Sequence, residues 1–136
     1  MTATLVDSNV LLDVPGDENP WTAWSAAMLE RVGNSGRLIA NPIIYGEVSI
    51  RFSSVEALDE ALPDTTFFRE RLPFSAAFLA GKAFLAYRRR GGTKPSPLPD
   101  FLIGADAAIS GLQLLTRDAA RYRTYFPHLH LIAPAN

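Results

Sequence analysis

The chain has 136 residues, 48% of them apolar and 20% charged, with a formal net charge of −1 and no cysteine. These figures describe an ordinary globular protein of one domain, residues 1–136, with enough apolar material for a core. They exclude disulfides, thiolate zinc sites, iron–sulfur clusters and a cysteine nucleophile.

Thr4-Leu5-Val6 is a short apolar run ending at Asp7 and reads as a buried strand. Asn19-Pro20 reads as N-cap and first helical residue. Trp21, Trp24, Met28 and Val32 follow at spacings of three and four, with Gly33 and Gly36 as stop signals. Leu38-Ile39-Ala40 is a second strand, and Asn41-Pro42 opens a helix to about Phe52. Ser54, with Glu56 behind it, opens another that Pro63 closes. The stretch from Phe67 to Phe74 has no clear period. Ser75 caps a helix running to Arg88-Arg89-Arg90, ended by Gly91-Gly92. The segment from Gly91 to Pro99, with two glycines and three prolines, is expected to be a loop. Pro99 starts a helix to about Ser110, Gly111 turns it, and strands are expected at Leu112–Leu115 and Leu129–Ile132.

Short strands alternating with helices indicate βαβ units, and so an α/β fold of three layers, with a short, mainly parallel sheet between helices. Ligands of such folds bind beyond the carboxyl ends of the strands. Asp7 directly follows the first strand, and Asp118 follows Leu112–Leu115 after Thr116-Arg117. Glu47 lies two turns into the helix opened by Pro42, and Asp100 lies in the first turn of the helix opened by Pro99. Four carboxylates from distant parts of the chain are therefore expected to converge at one sheet edge. Their mutual repulsion would disfavour the cluster unless a cation occupied it, and hard oxygen donors suit Mg²⁺ or Mn²⁺. Asp106, six residues beyond Asp100 and about 240° around the helix, falls on another face.

The charge is unevenly divided. Residues 1–68 carry 3 basic and 10 acidic side chains, and residues 69–136 carry 10 basic and 4 acidic. One half is suited to cations and the other to phosphate. Arg117, Arg121 and Arg123, interleaved with Tyr122 and Tyr125, adjoin Asp118 and are candidates for holding RNA phosphate and stacking on bases. Arg88 to Arg90 suit a helix C-terminus, Trp21 and Trp24 suit a core or dimer seam, and His128 and His130 lack a nearby carboxylate to complete a metal set. No apolar run reaches the roughly 18 residues of a membrane helix. Asp7 and Asp13 interrupt the amino-terminal apolar stretch, so no secretory signal is expected and a cytoplasmic location is.

The segments LVDSNVLLD, PIIYGEVSI, PDFLIGADAAISG and LLTRDAARYRTYFPHLHLIAP together resemble the four acidic motifs of the PIN domain, above all its bacterial VapC-like toxins. The resemblance spans nearly the whole chain. It departs at Asp106, where the motif is more often uncharged, and in the proline content of Gly91–Pro99. It implies a Mg²⁺- or Mn²⁺-dependent ribonuclease acting as the toxin of a toxin–antitoxin pair. Asp7, Glu47, Asp100 and Asp118 would surround the metal, with Thr116, Ser8 and Asn9 in support. It also implies a homodimer and a cognate antitoxin. A phosphoaspartate hydrolase is disfavoured because position 9 is Asn where a second Asp is needed. The alternative is a PIN-like module without turnover that binds an antitoxin or RNA.

Overall fold

A computed structural model describes residues 2–93 and 98–135. The elements, in order, are β1 (Thr4–Val6), α1 (Ser8–Asp13), α2 (Thr22–Ser35), β2 (Leu38–Ala40), α3 (Pro42–Ser49), α4 (Val55–Ala61), β3 (Phe67–Arg69), α5 (Phe74–Arg89), α6 (Leu98–Ser110), β4 (Gln113–Leu115), α7 (Ala120–Tyr125) and β5 (Leu131–Ile132). The strands form one sheet in the order β3-β2-β1-β4-β5, and every pair is parallel. All residues of β1 and β2 are buried, so helices cover both faces, as a parallel sheet requires. The core gathers Leu5, Val6, Ile39, Ile44, Phe101, Ile103, Leu114 and Leu115, each essentially without solvent contact.

The strand order decides where a site can lie. From β1 the chain moves outward one way to β2 and β3, then crosses to β4 and moves out the other way. The reversal falls between β1 and β4, and it opens a crevice at their carboxyl ends. Asp7 and Thr116 stand at that point, and the Asp7 amide donates to the Leu115 carbonyl across it at 2.9 Å.

Several local expectations shift. Asn19 does not cap α2 directly: its side chain accepts from the Trp21 amide at 2.7 Å in an Asx turn, and the helix begins at Thr22. Gly33 lies inside α2, and only Gly36 ends it. The Pro42 helix stops at Ser49, short of Phe52. Asn41 does cap it, accepting from the Ile44 amide at 3.0 Å. Pro73, not Ser75, precedes α5. The region without a clear period contains β3, an edge strand with Phe68 and Arg69 exposed, which hides the pattern of burial. The short helices α1 and α7 are additional to the expected elements. Of the loop expected at Gly91–Pro99, residues 94–97 lie outside the described residues, and Leu98 and Pro99 already belong to α6. Among the described residues no helix is long and apolar enough to cross a membrane.

Candidate active site

Asp7 occupies the N-cap position of α1, yet its carboxylate makes no capping bond. It turns instead into the crevice, 3% exposed. There Oδ2 accepts from the Thr116 hydroxyl at 2.8 Å and from the Tyr122 hydroxyl at 2.9 Å. Thr116 Oγ1 in turn accepts from the Asp118 amide at 3.1 Å and from Asn9 Nδ2 at 3.3 Å. A hydroxyl has one proton and two lone pairs. With both lone pairs taken, the Thr116 proton is directed to Asp7. The Asn9 carbonyl oxygen accepts from the Arg117 amide at 3.3 Å and closes the loop between α1 and the chain after β4.

Glu47, half-buried on α3, is reached by the Ser8 hydroxyl, which donates to Oε1 at 2.8 Å and lies 3.5 Å from Asp7 Oδ1. Burial pushes the Asp7 carboxyl up to about 6, against the lowering effect of Thr116 and Tyr122, and the charges of Asp100 and Glu47 push it further. Burial also raises Glu47, the Ser8 hydrogen bond opposes this, and Asp100 adds to it. Removal from water is the larger cause in both, and the repulsion between the carboxylates adds to it. Tyr122 is held well above its ordinary value, first by burial and then by the charge of Asp7, so its hydroxyl keeps its proton and donates.

The structure thus couples Asp7, Glu47 and Asp100. Asp118 stands at the rim instead: it is exposed, and the turn from Thr116 to Asp118 points residue 116 inward and residue 118 toward solvent. Asp100 pairs with Arg121 through Oδ2 and Nη1. Among the described residues, no three His, Asp or Glu side chains are so placed as to hold a metal ion as they stand. The chemistry of the donor set is nonetheless that of a hard divalent cation. It offers carboxylate oxygens only, the charges of Asp100 and Glu47 raise the proton affinity of Asp7 and that of Asp100 raises Glu47's, and Asp7 Oδ1 faces nothing nearer than the Ser8 hydroxyl among the hydrogen bonds it makes.

Two of the expected RNA contacts have other work. Tyr122 is 2% exposed, so no base can reach its ring; it holds Asp7. Arg117 bonds through Nε to the buried Asp13 at 2.8 Å and lies 5.5 Å from the Trp21 ring centroid. Asp13 also accepts from Ser25 at 2.7 Å and Asn19 at 3.5 Å, so α1, α2 and the turn after β4 meet on one carboxylate. An Asp closing the apolar run Val10-Leu11-Leu12 was the sequence signal for this, because a buried carboxylate requires a partner. Arg123 is exposed. Asp106 is likewise structural, accepting from Asn41 and Ser110, each at 2.8 Å, and so joining α6 to the start of α3.

No protein-family model matches the sequence, and no curated protein matches it. Solved structures match its fold. VapBC2 from Rickettsia felis, bound to a DNA fragment from its promoter, aligns with a TM-score of 0.72 at 14% identity over 97% of this chain and 98% of that one. A toxin–antitoxin complex from Klebsiella pneumoniae aligns with a TM-score of 0.64 at 22% identity over 98% of both chains. VapC20 from Mycobacterium tuberculosis, a toxin that cleaves the sarcin–ricin loop, aligns with a TM-score of 0.51 at 19% identity over 81% of this chain and 85% of that one. At these identities the likeness is one of fold. The chain has the fold of VapC-type PIN-domain toxins over nearly its whole length.

Proposed function

We propose that the protein is a divalent-metal-dependent endoribonuclease and the toxin of a toxin–antitoxin pair. The observation that carries this reading is the coupling of Asp7, Glu47 and Asp100 where the strand order reverses, with a carboxyl of Asp7 that burial and its neighbours lift to about 6. Perturbed carboxyls gathered in such a crevice are candidates for catalysis. The fold shared with VapC20 supports RNA as the substrate class.

Asp7, Glu47 and Asp100 would hold Mg²⁺ or Mn²⁺, with Asp118 at the rim beside them. A bound divalent ion supplies a more acidic water and a positive charge opposite the phosphate. Thr116 and Tyr122 fix Asp7 through one oxygen and leave the other facing the crevice. Ser8 keeps Glu47 turned toward Asp7. Arg121 pairs with Asp100 and, in this reading, supplies a cation for an RNA phosphate.

A cognate antitoxin and a homodimer belong to the same reading, supported by matches to toxin–antitoxin complexes and by the apolar side chains that α5 leaves in solvent, Phe74 and Phe78. The reading as a module without turnover draws on the Arg121–Asp100 pair, which occupies one of the carboxylates. End-labelled total RNA incubated with purified protein separates the two. Cleavage with Mg²⁺ or Mn²⁺ is expected to stop with EDTA and with Asp7→Asn. Cleavage that survives either would overturn the metal-dependent mechanism, and binding without cleavage would favour the module.

A further inference from the structure

The aromatic cluster where α5, α6 and α7 meet is not used by the carboxylates. Phe101, fully buried, is its centre. The Tyr125 ring lies 5.1 Å from it and the Tyr87 ring 5.7 Å, both edge to face. Tyr87 and Tyr125 form the half-buried outer edge, 6.2 Å apart. In front of them lies a depression of about 360 Å³ lined by Tyr87, Asp118, Ala120, Arg121, Thr124 and Tyr125. The Arg90 guanidinium lies 5.4 Å from the Tyr125 ring centroid and that of Arg121 lies 5.8 Å from Tyr87. The depression adjoins the candidate site through two of its own residues. Arg121 pairs with Asp100, and Asp118 is tied by its amide to Thr116, which holds Asp7.

We propose that this depression is a nucleobase subsite, taking one unpaired base of an RNA strand next to the phosphodiester presented to Asp7, Glu47 and Asp100. The assignment rests on the ribonuclease reading above. The volume is at the small end for ligand pockets and suits one nucleoside. Tyr125 offers the stacking that any base can use, Tyr87, with the Phe84 ring stacked 6.5 Å away, forms the wall beside it, and exposed Arg90 offers a cation for the flanking phosphate. Asp118, an acceptor, favours bases with an exocyclic amino group over uracil. Charge selects RNA over an antitoxin segment: a peptide bringing Arg or Lys to the carboxylates would meet Arg90 and Arg121 here.

The wall is also preformed. The Gly92 backbone presses on Tyr87, whose carbonyl accepts from the Gly92 amide at 3.0 Å, and a Cβ at residue 92 would fall 2.3 Å from the ring. A side chain held in place before binding loses less freedom on binding.

The test uses single-stranded oligoribonucleotides of one mixed sequence, each with 2-aminopurine at a different position, whose fluorescence falls when it stacks. Binding is read in EDTA, and cleavage of the same strands in Mn²⁺ locates the cut. Wild type should quench most strongly at the nucleotide flanking the cut. Tyr125→Leu and Ala120→Trp, which respectively remove a stacking ring and fill the space, should lose that quenching and raise KM roughly 5- to 100-fold with kcat within a few-fold. Tyr125→Phe should retain it. Ala120→Trp leaves every core ring in place, so the test stands even where Tyr125→Leu fails to fold. If wild type cuts RNA while Ala120→Trp matches it in quenching and KM, the subsite is wrong and the ribonuclease reading stands. If wild type neither binds nor cuts these RNAs, the ribonuclease reading falls and takes the subsite with it. Loss of antitoxin capture by Ala120→Trp with RNA kinetics unchanged would make this a protein-docking surface and overturn the proposal.

Discussion

Tyr122 donates its hydroxyl to Oδ2 of Asp7 at 2.9 Å, the same oxygen that Thr116 reaches at 2.8 Å from the turn after β4. Two hydroxyls from the second half of the chain thus decide the orientation of a carboxylate in the first. Tyr122→Phe leaves the ring packed and removes one of them. Groups that orient a metal-binding side chain contribute about 10- to 100-fold to affinity or activity. Tyr122→Phe should therefore weaken Mn²⁺ binding by about that factor and raise the Asp7 carboxyl above about 6, because a lowering influence is lost. Calorimetric Mn²⁺ titration and carboxyl NMR check the two halves separately.

Asp7 makes stability depend on pH in an unusual direction for a carboxylate. Its folded value of about 6 exceeds the ordinary 3.8, so the folded protein binds the proton more tightly than the unfolded chain. The stabilisation this brings is complete below about 3.8 and is lost as pH rises toward about 6, a span of about 3 kcal/mol. In EDTA, Asp7→Asn should accordingly gain stability relative to wild type between pH 4 and pH 7. Urea unfolding of both proteins at the two pH values measures it; a constant difference would show that Asp7 does not titrate there.

Mn²⁺ should reverse that ranking near neutral pH. At about a hundred times its dissociation constant, the ion adds roughly 2.7 kcal/mol to wild type, a rise of several degrees in Tm. Asp7→Asn should gain much less. Equal gains in thermal melts would place the ion elsewhere.

Arg117→Ala separates a structural role from an RNA-binding one. With its Asp13 partner almost fully buried, losing the guanidinium should cost about 2 kcal/mol or more in stability. Chemical denaturation tests this, and Arg117→Lys should restore only part, since an ammonium lacks the flat surface that covers Trp21. Weaker RNA binding at unchanged stability would return Arg117 to the RNA-contact role.

Gly104 supplies a third route to Asp7. A Cβ at this residue of α6 would sit 2.6 Å from the Phe126 ring and 3.0 Å from that of Tyr122. Gly104→Ala should push α7 outward, cost about 1–3 kcal/mol and weaken Mn²⁺ binding as Tyr122→Phe does. Unchanged Mn²⁺ affinity would show that Tyr122 can follow the displacement.

What the sequence determined by itself was local or periodic. Thr4-Leu5-Val6 and Leu38-Ile39-Ala40 read as buried strands because every residue in them is apolar or β-branched. Asn41-Pro42 and Ser54 read as helix starts because capping is written in adjacent residues. The position of Asp7 at a strand exit was legible for the same reason, and the acidic motifs indicated a fold that the solved structures share. Tertiary structure decided the rest. Tyr122 and Arg117 lie in a basic, aromatic segment that reads as an RNA contact, and only the tertiary hydrogen bonds show the Tyr122 hydroxyl of α7 held on Asp7 and the Arg117 guanidinium, in the turn after β4, spent on Asp13. Asp118 has the spacing of its three partners, and only the structure shows its side chain exposed while its amide donates to Thr116. Tyr87, thirty-eight residues before Tyr125 in the chain, joins it only because α5 and α7 pack around Phe101. Side-chain direction depends on which distant groups remain to satisfy each donor and acceptor, and residue spacing does not contain that information.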